Sequence, residues 1–229
     1  MSDPEGSWCL PYAWGTVGIV YNKNIVPEIT SWEDFFAIPE NYNGKITMLD
    51  DLRETIGVGL IVNGYSVNSR DPEEVKVAEE YIISKRDNIS AFTYDVIPLV
   101  QSGDIAAAHW YVGAMYAVLQ DPENLGYVIP SEGATMYQED ICVLESAPNK
   151  ENAVKFMEFY LQPEIPVLNV EQQLNGTPNM AAREMLPEEF QNNPGMNPPP
   201  EVMAKLQIFE DLGEDLRIYD RSWTHIRAQ

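Results

Sequence analysis

Lys45-Ile46-Thr47-Met48-Leu49-Asp50-Asp51-Leu52-Arg53-Glu54 is the stretch around which the chain is organised. Its first five residues read as a strand that stops at two adjacent carboxylates. A helical pattern follows through Ile56, Val58, Leu60, Ile61 and Val62, and closes at Asn63-Gly64, which tolerates left-handed backbone. A strand that ends in acid and turns directly into a helix is where an open α/β sheet places its ligand. Two readings of the acids stand side by side. Asp51, three residues ahead of Glu54, has the spacing of a capping arrangement, with Asp on the free N–H groups and Glu reaching back. If the same pair faces a cleft, its ligand is a cation. The readings are compatible, because one oxygen caps while another faces a ligand.

Upstream, residues 8–22 form one long extended segment. Pro11, Gly15 and Gly18 bend it, which suits a passage between lobes better than a central strand. Ser31 caps a short helix, with Asp34 three residues on. Downstream, Asp71 caps a helix with Pro72 at its first position, where the missing N–H costs nothing. Short strands at Ala91-Phe92, Ile105 to Trp110 and Tyr127 to Pro130 alternate with helices over about 94–102 and 113–120. That alternation predicts a mainly parallel sheet. After Gly133 a second extended passage runs from Thr135 to Leu144. Asn149 then caps an amphipathic helix with Val154, Phe156, Met157 and Tyr160 on its apolar side. Pro163-Glu164 begins another helix to Leu174, and the remainder reads as helical over 179–186, 200–211 and 213–227.

The 229 residues suffice for a sizeable core in one or two domains. Acidic residues outnumber basic ones 36 to 14, a balance that repels nucleic-acid backbones and anionic lipid. No apolar run approaches the ~20 residues of a membrane-spanning helix. The opening Met1-Ser2-Asp3-Pro4-Glu5-Gly6 carries no secretory signal and reads as a fragment boundary, so it bears little on where the protein resides. Cys9 and Cys142 are too few and too far apart for a zinc motif or a disulfide scaffold.

Enzyme and cofactor signatures are missing: no nucleophile elbow, no phosphate-binding glycine loop, no paired-histidine metal motif. His109 and His225 are the only histidines, and His109 beside Trp110 reads as structural. What the sequence offers is acid and aromatic side chains together. Tyr12 and Trp14 lie on the first passage, Trp110 and Tyr111 follow a strand of small residues, and Tyr137 and Glu139 share one strand face by their spacing. Rings attract an alkylammonium by ~0.5–2 kcal/mol each and cover its methylenes. A carboxylate at about 4 Å adds on the order of 4 kcal/mol of gross attraction at an effective dielectric near 20. The plainer alternative keeps Trp14 and Trp110 in the core and makes Tyr137–Glu139 an amphipathic strand.

Four segments carry a resemblance: Pro11-Tyr12-Ala13-Trp14-Gly15-Thr16, Leu49 to Glu54, Gly64 to Asn68 with Asp71 to Glu74, and Thr177-Pro178-Asn179-Met180-Ala181-Ala182-Arg183. In order and with few gaps, from about residue 8 to 226, the chain resembles the spermidine/putrescine-binding proteins, the solute-binding components of polyamine ABC transporters. The resemblance implies an α/β, type II periplasmic-binding-protein fold and a polyamine ligand, with no cofactor and no catalysis. It implies an ABC permease as partner and a periplasmic or extracellular, membrane-anchored location. It maps ligand contacts onto Asp51, Glu54, Trp110, Tyr137 and Glu139. Tyr137 stands where the family often has Trp, and Glu139 where it often has Asp. Contacts are expected to be lost at Asn175, in place of a Tyr, and at Phe209, in place of a Gln. Asp50 is left a structural role, and Arg53 is expected to point away into a salt bridge.

Family members carry a further stretch before the segment that opens this chain. The resemblance therefore implies one complete α/β lobe, 18–132 with 180–229, plus remnants of the other, 1–17 with 133–179. Such a chain exposes apolar surface and is expected to bind weakly and to self-associate. In this fold the two passages lie antiparallel, and with Trp14 opposite Tyr137, Cys9 falls opposite Cys142. Adjacent strands seldom meet disulfide geometry, so two free thiols are expected, with a disulfide as the alternative. Alternatives for function are a different cationic or metal-complex ligand on the same fold, and an enzyme using Asp51 and Glu54 as acid and base.

Overall fold

The computed structural model describes Asp3 and residues 6–229; the rest of the opening read as a fragment boundary, Met1, Ser2, Pro4 and Glu5, lies outside them. In chain order the elements are β1 Cys9–Asn22, α1 Trp32–Tyr42, β2 Ile46–Met48, α2 Leu52–Val62, α3 Pro72–Ser84, β3 Ile89–Phe92, α4 Ile97–Ser102, β4 Ala107–Tyr111, α5 Met115–Gln120, β5 Leu125–Val128 and β6 Ala134–Cys142. There follow α6 Lys150–Tyr160, α7 Glu164–Gln173, α8 Met180–Met185, α9 Glu188–Gln191, α10 Pro200–Met203, β7 Leu206–Ile208 and α11 Leu216–Ala228.

The strands form one sheet in the order β3-β2-β4-β1-β6-β7, with β5 also paired to β1. β2 runs parallel to β3 and β4, and β6 parallel to β7. β1 is antiparallel to β4, β5 and β6, so the sheet is mixed rather than mainly parallel. Alternation of strands with helices fixed the direction of β2, β3 and β4 only; β1 precedes the first helix and returns the other way.

Local chemistry sets the helix starts. Ser31 accepts from the Asp34 amide and Asp71 from that of Glu73, each satisfying an amide left free by the first turn. Gly64, at φ 78°, supplies the left-handed residue after α2. Asn149 makes no side-chain cap at α6, contrary to expectation. The apolar stripe of that helix is largely uncovered: Val154, Phe156 and Phe159 are exposed and only Tyr160 is buried.

Side chains alternate across the sheet. Ile19 and Ala107 join one core with Trp32, Phe36, Ile56, Leu60 and Tyr219. Their neighbours Val20 and Ala108 join a second core with Val100, Met115, Val170 and Phe190 on the other face.

Residues 200–211, expected as a helix, are one turn of helix and then a strand. Pro199 and Pro200 start the turn, but Leu206–Ile208 pairs with Ala134–Met136. The Gln207 side chain also accepts from the Val67 amide at 3.0 Å. An open strand edge on β6 outweighed the helical propensity of the segment.

β1 and β6 form a long ribbon. Gly15 lies opposite Tyr137 and Trp14 opposite Gln138, one place off the expected register. A shift between Pro11 and Ala13, a bulge beside a residue with no amide donor, restores the pairing of Cys9 with Cys142. The two cysteines are disulfide-bonded, the less expected of the two alternatives.

Candidate functional site

The parallel strands β2 and β4 end side by side, and the turn from β2 into α2 places the first acids at their ends. Asp51 is the cap of α2: its Oδ1 accepts from the amides of Arg53 at 2.8 Å and Glu54 at 2.9 Å. Both bonds fall on one oxygen. Asp50, one residue earlier, pairs with Arg227 of α11, as befits a structural acid.

Glu54 does not reach back to complete the capping box. It turns inward, 6% exposed, and its Oε2 accepts from Thr135 Oγ1 of β6 at 2.6 Å. Burial pushes its carboxyl up to about 8; the Thr135 hydrogen bond opposes that, Asp51 adds to it, and Arg53 opposes it. His109 Nε2 lies 3.8 Å from the same oxygen. The imidazole is fully buried edge-on to Trp32, with Nδ1 unpartnered, and burial brings it down to about 3. At neutral pH both groups are therefore uncharged, and the pair is a polar contact rather than a salt bridge. His109 is buried beside the cavity and does not line it.

Asp51, Arg53, Glu54, Tyr111, Tyr137, Glu139 and Phe209 line a cavity of about 550 Å³. Four of the five predicted residues, Asp51, Glu54, Tyr137 and Glu139, thus come together from α2 and β6. Tyr137 is held from two sides: its hydroxyl donates to Asn175 Oδ1 at 3.0 Å and its ring meets Tyr111 edge-on at 5.8 Å. Its ring also lies across Gly15, where any added Cβ would overlap the phenol. Burial and the Glu139 and Glu54 carboxylates keep the phenol protonated by raising its pKa.

Trp110 does not line the cavity. On β4 the alternation that sends His109 toward Glu54 sends Tyr111 the same way and Trp110 to the second core. Tyr111 thus stands where Trp110 was expected, and period-two counting from His109 was the signal available. Trp14 packs over Gly176, bonded to it through both backbones, and Tyr12 donates to Asn169 Oδ1 at 2.8 Å; neither lines the cavity.

Arg53 and Phe209, which the sequence reading left outside the ligand contacts, also line the cavity. The Arg53 guanidinium makes no salt bridge among the described residues. It donates to the Val67 and Glu210 carbonyls and to Asn68 Oδ1, and stacks 4.5 Å from the Phe209 ring and 5.0 Å from that of Tyr219. Phe209, expected as a lost contact, forms a wall with Arg53 across it. Asn175, also expected as a loss, positions Tyr137. A second cavity of about 350 Å³ lies at the disulfide end of the ribbon, lined by Trp8, Leu10, Val154 and Met157 among others, and contains none of the predicted acids.

Residues 3–198 match the family of bacterial extracellular solute-binding proteins. A putrescine-binding periplasmic protein of Pseudomonas aeruginosa is 33% identical over 100% of this chain and 67% of its own length. A spermidine/putrescine-binding periplasmic protein of Salmonella typhimurium is 30% identical over 99% of this chain. The chain spans 65% of the length of that relative. The crystal structure of a spermidine/putrescine ABC transporter substrate-binding protein from Streptococcus pneumoniae superposes with a TM-score of 0.88 at 29% identity, covering 99% of this chain and 70% of that one. The α/β fold is thus of the periplasmic-binding-protein type, and the chain belongs to the bacterial extracellular solute-binding proteins.

Proposed function

We propose that this chain binds a linear polyamine of the spermidine/putrescine class, as the solute-binding component of an ABC importer on the extracytoplasmic side of the membrane. The observation that carries the reading is the cavity itself: Asp51, Glu54 and Glu139 around the rings of Tyr111 and Tyr137. Ammonium groups take the carboxylates, and the methylenes between them lie on the rings. The names of the relatives point to the same ligand class. Those relatives are binding proteins, so the acid–base enzyme alternative is set aside. No helix among the described residues is long and apolar enough to cross a membrane.

The division into one lobe, 18–132 with 180–229, and part of another, 1–17 with 133–179, belongs to this proposal. In it the β1–β6 ribbon forms the passages between lobes, and the uncovered α6 stripe of Val154, Phe156 and Phe159 supports self-association of the chain. Clamp closure around a charged ligand depends on both lobes excluding water.

Isothermal calorimetry with spermidine and putrescine tests the ligand. Heat of binding is expected, and Asp51→Asn should weaken it while keeping the helix cap, since Asn caps as well as Asp. No heat with any polyamine overturns the reading. A second reading, another cationic ligand, draws on the Phe209 and Arg53 wall; amino-acid-derived cations in the same titration distinguish it.

A further inference from the structure

Beyond the cavity, a chain of aromatic rings continues around the end of β4. Tyr137 meets Tyr111 at 5.8 Å, Tyr111 meets Trp110 at 5.5 Å, and Trp110 meets Tyr94 at 5.9 Å, every pair close to edge-on. Tyr94 is the outermost ring and is half exposed. It leaves the sheet one residue after the Thr93 amide bonds the Met48 carbonyl at 2.9 Å, which sets it beside the Asp50–Asp51 turn at the end of β2. Its phenol pKa is raised by partial burial and then by Asp51, Asp50 and Glu54, while a hydrogen bond with Tyr111 acts the other way. The ring thus stands just outside the cavity lining and joins the cavity aromatics from the side, through Trp110 and Tyr111. No hydrophobic core claims it, and Trp110 braces it from behind.

We propose that Tyr94 forms an outer subsite of the cavity, which receives the third ammonium of a linear triamine and makes the site prefer triamines to diamines. This rests on the polyamine reading. A diamine places its two ammonium groups on the inner carboxylates, Asp51 and Glu54 at one end and Glu139 at the other. A triamine has one charge more, and the ring face of Tyr94 is the next cation-binding surface along the track, with the Asp50–Asp51 turn adding attraction.

The test is calorimetry on the 229-residue chain with spermidine and with putrescine, repeated on Tyr94→Ala and Tyr94→Phe. Tyr94→Ala should lose affinity for spermidine on the order of tenfold. It should leave putrescine unchanged, and Tyr94→Phe, which keeps the ring, should retain spermidine binding. Equal losses for both amines, or no loss for spermidine, overturn the subsite while leaving polyamine binding intact. Absence of heat with either amine on the unaltered chain overturns the polyamine reading and the subsite with it. Because the ring is half exposed, circular dichroism should show Tyr94→Ala folded.

Discussion

Thr135 Oγ1 donates to Glu54 Oε2 across 2.6 Å, joining β6 to the first turn of α2 beneath the cavity. The bond favours the charged carboxylate against a burial that disfavours it. Thr135→Val keeps the shape and removes the donor. We expect the Glu54 carboxyl to rise further and polyamine affinity at neutral pH to fall on the order of tenfold, the worth of one hydrogen bond to a charged group. A titration of the variant by calorimetry checks this, and unchanged affinity counts against Glu54 as a ligand group.

With Glu54 raised to about 8, the empty cavity holds this acid protonated at neutral pH. An arriving ammonium favours the carboxylate, so binding should release a proton. Affinity should therefore climb as pH rises toward 8 and level off above it. Calorimetry at pH 7 in two buffers of different ionisation heat measures the released proton directly, and Glu54→Gln should abolish it. Equal heats in both buffers for the unaltered chain would contradict a protonated Glu54.

The same two buried groups shape stability against pH. Glu54 has a folded value of about 8 against an ordinary carboxyl value of 4.5, so the folded state holds the extra proton between those values and stability falls as pH rises through them. His109 has about 3 against 6.5, so the unfolded state holds the extra proton and stability falls as pH drops through that window. Between 4.5 and 6.5 the two slopes oppose each other. Their joint effect is a plateau there, with loss on the acid side from His109 and on the alkaline side from Glu54. Urea unfolding across pH 3–9 should show both arms, each at most ~1.4 kcal/mol per pH unit. Glu54→Gln should flatten the alkaline one.

Tyr137 crosses Gly15 so closely that a methyl there must displace the ring. Gly15→Ala should move the phenol off Asn175 and weaken polyamine binding several-fold, at a cost of about 1–3 kcal/mol in stability from overpacking. Loss of the cavity aromatic signal in near-ultraviolet circular dichroism alongside the affinity checks the cause. Affinity unaltered by the methyl would show that Tyr137 does not line the ligand.

What the sequence made legible follows from how local each signal is. The Asp51 cap, the Asp71-Pro72 start and the Ser31 cap depend on neighbours within four residues, and all three form. The spacing marks Glu54 as a candidate site acid and it lines the cavity, but its inward turn depends on Thr135, which is distant in sequence, and no spacing rule reaches that far. Trp110 and Tyr111 were adjacent candidates; the face of β4 each takes is decided by which core Ala107 and Ala108 enter, a property of the assembled sheet. Leu206–Ile208 looked helical because its strand partner is supplied by β6. Arg53 looked like a surface ion-pair residue because the carbonyls and rings that hold it come from Val67, Glu210, Phe209 and Tyr219.

Cys9 and Cys142 close the end of the ribbon whose β6 strand carries Tyr137 and Glu139, beyond the bulge at Pro11 to Ala13. They link positions 133 residues apart, so the crosslink removes much freedom from the unfolded chain. Cys9→Ser with Cys142→Ser should lower stability by about 2–4 kcal/mol. It should also loosen the register of the ribbon, and with it the placement of Tyr137 and Glu139, so polyamine affinity should fall modestly in the same variant. Thiol titration of the unfolded chain without reductant should find no free thiol, and reductant should lower the urea midpoint of the unaltered chain but not of the double variant. Two titratable thiols without reductant would remove the disulfide, and the stability argument would go with it.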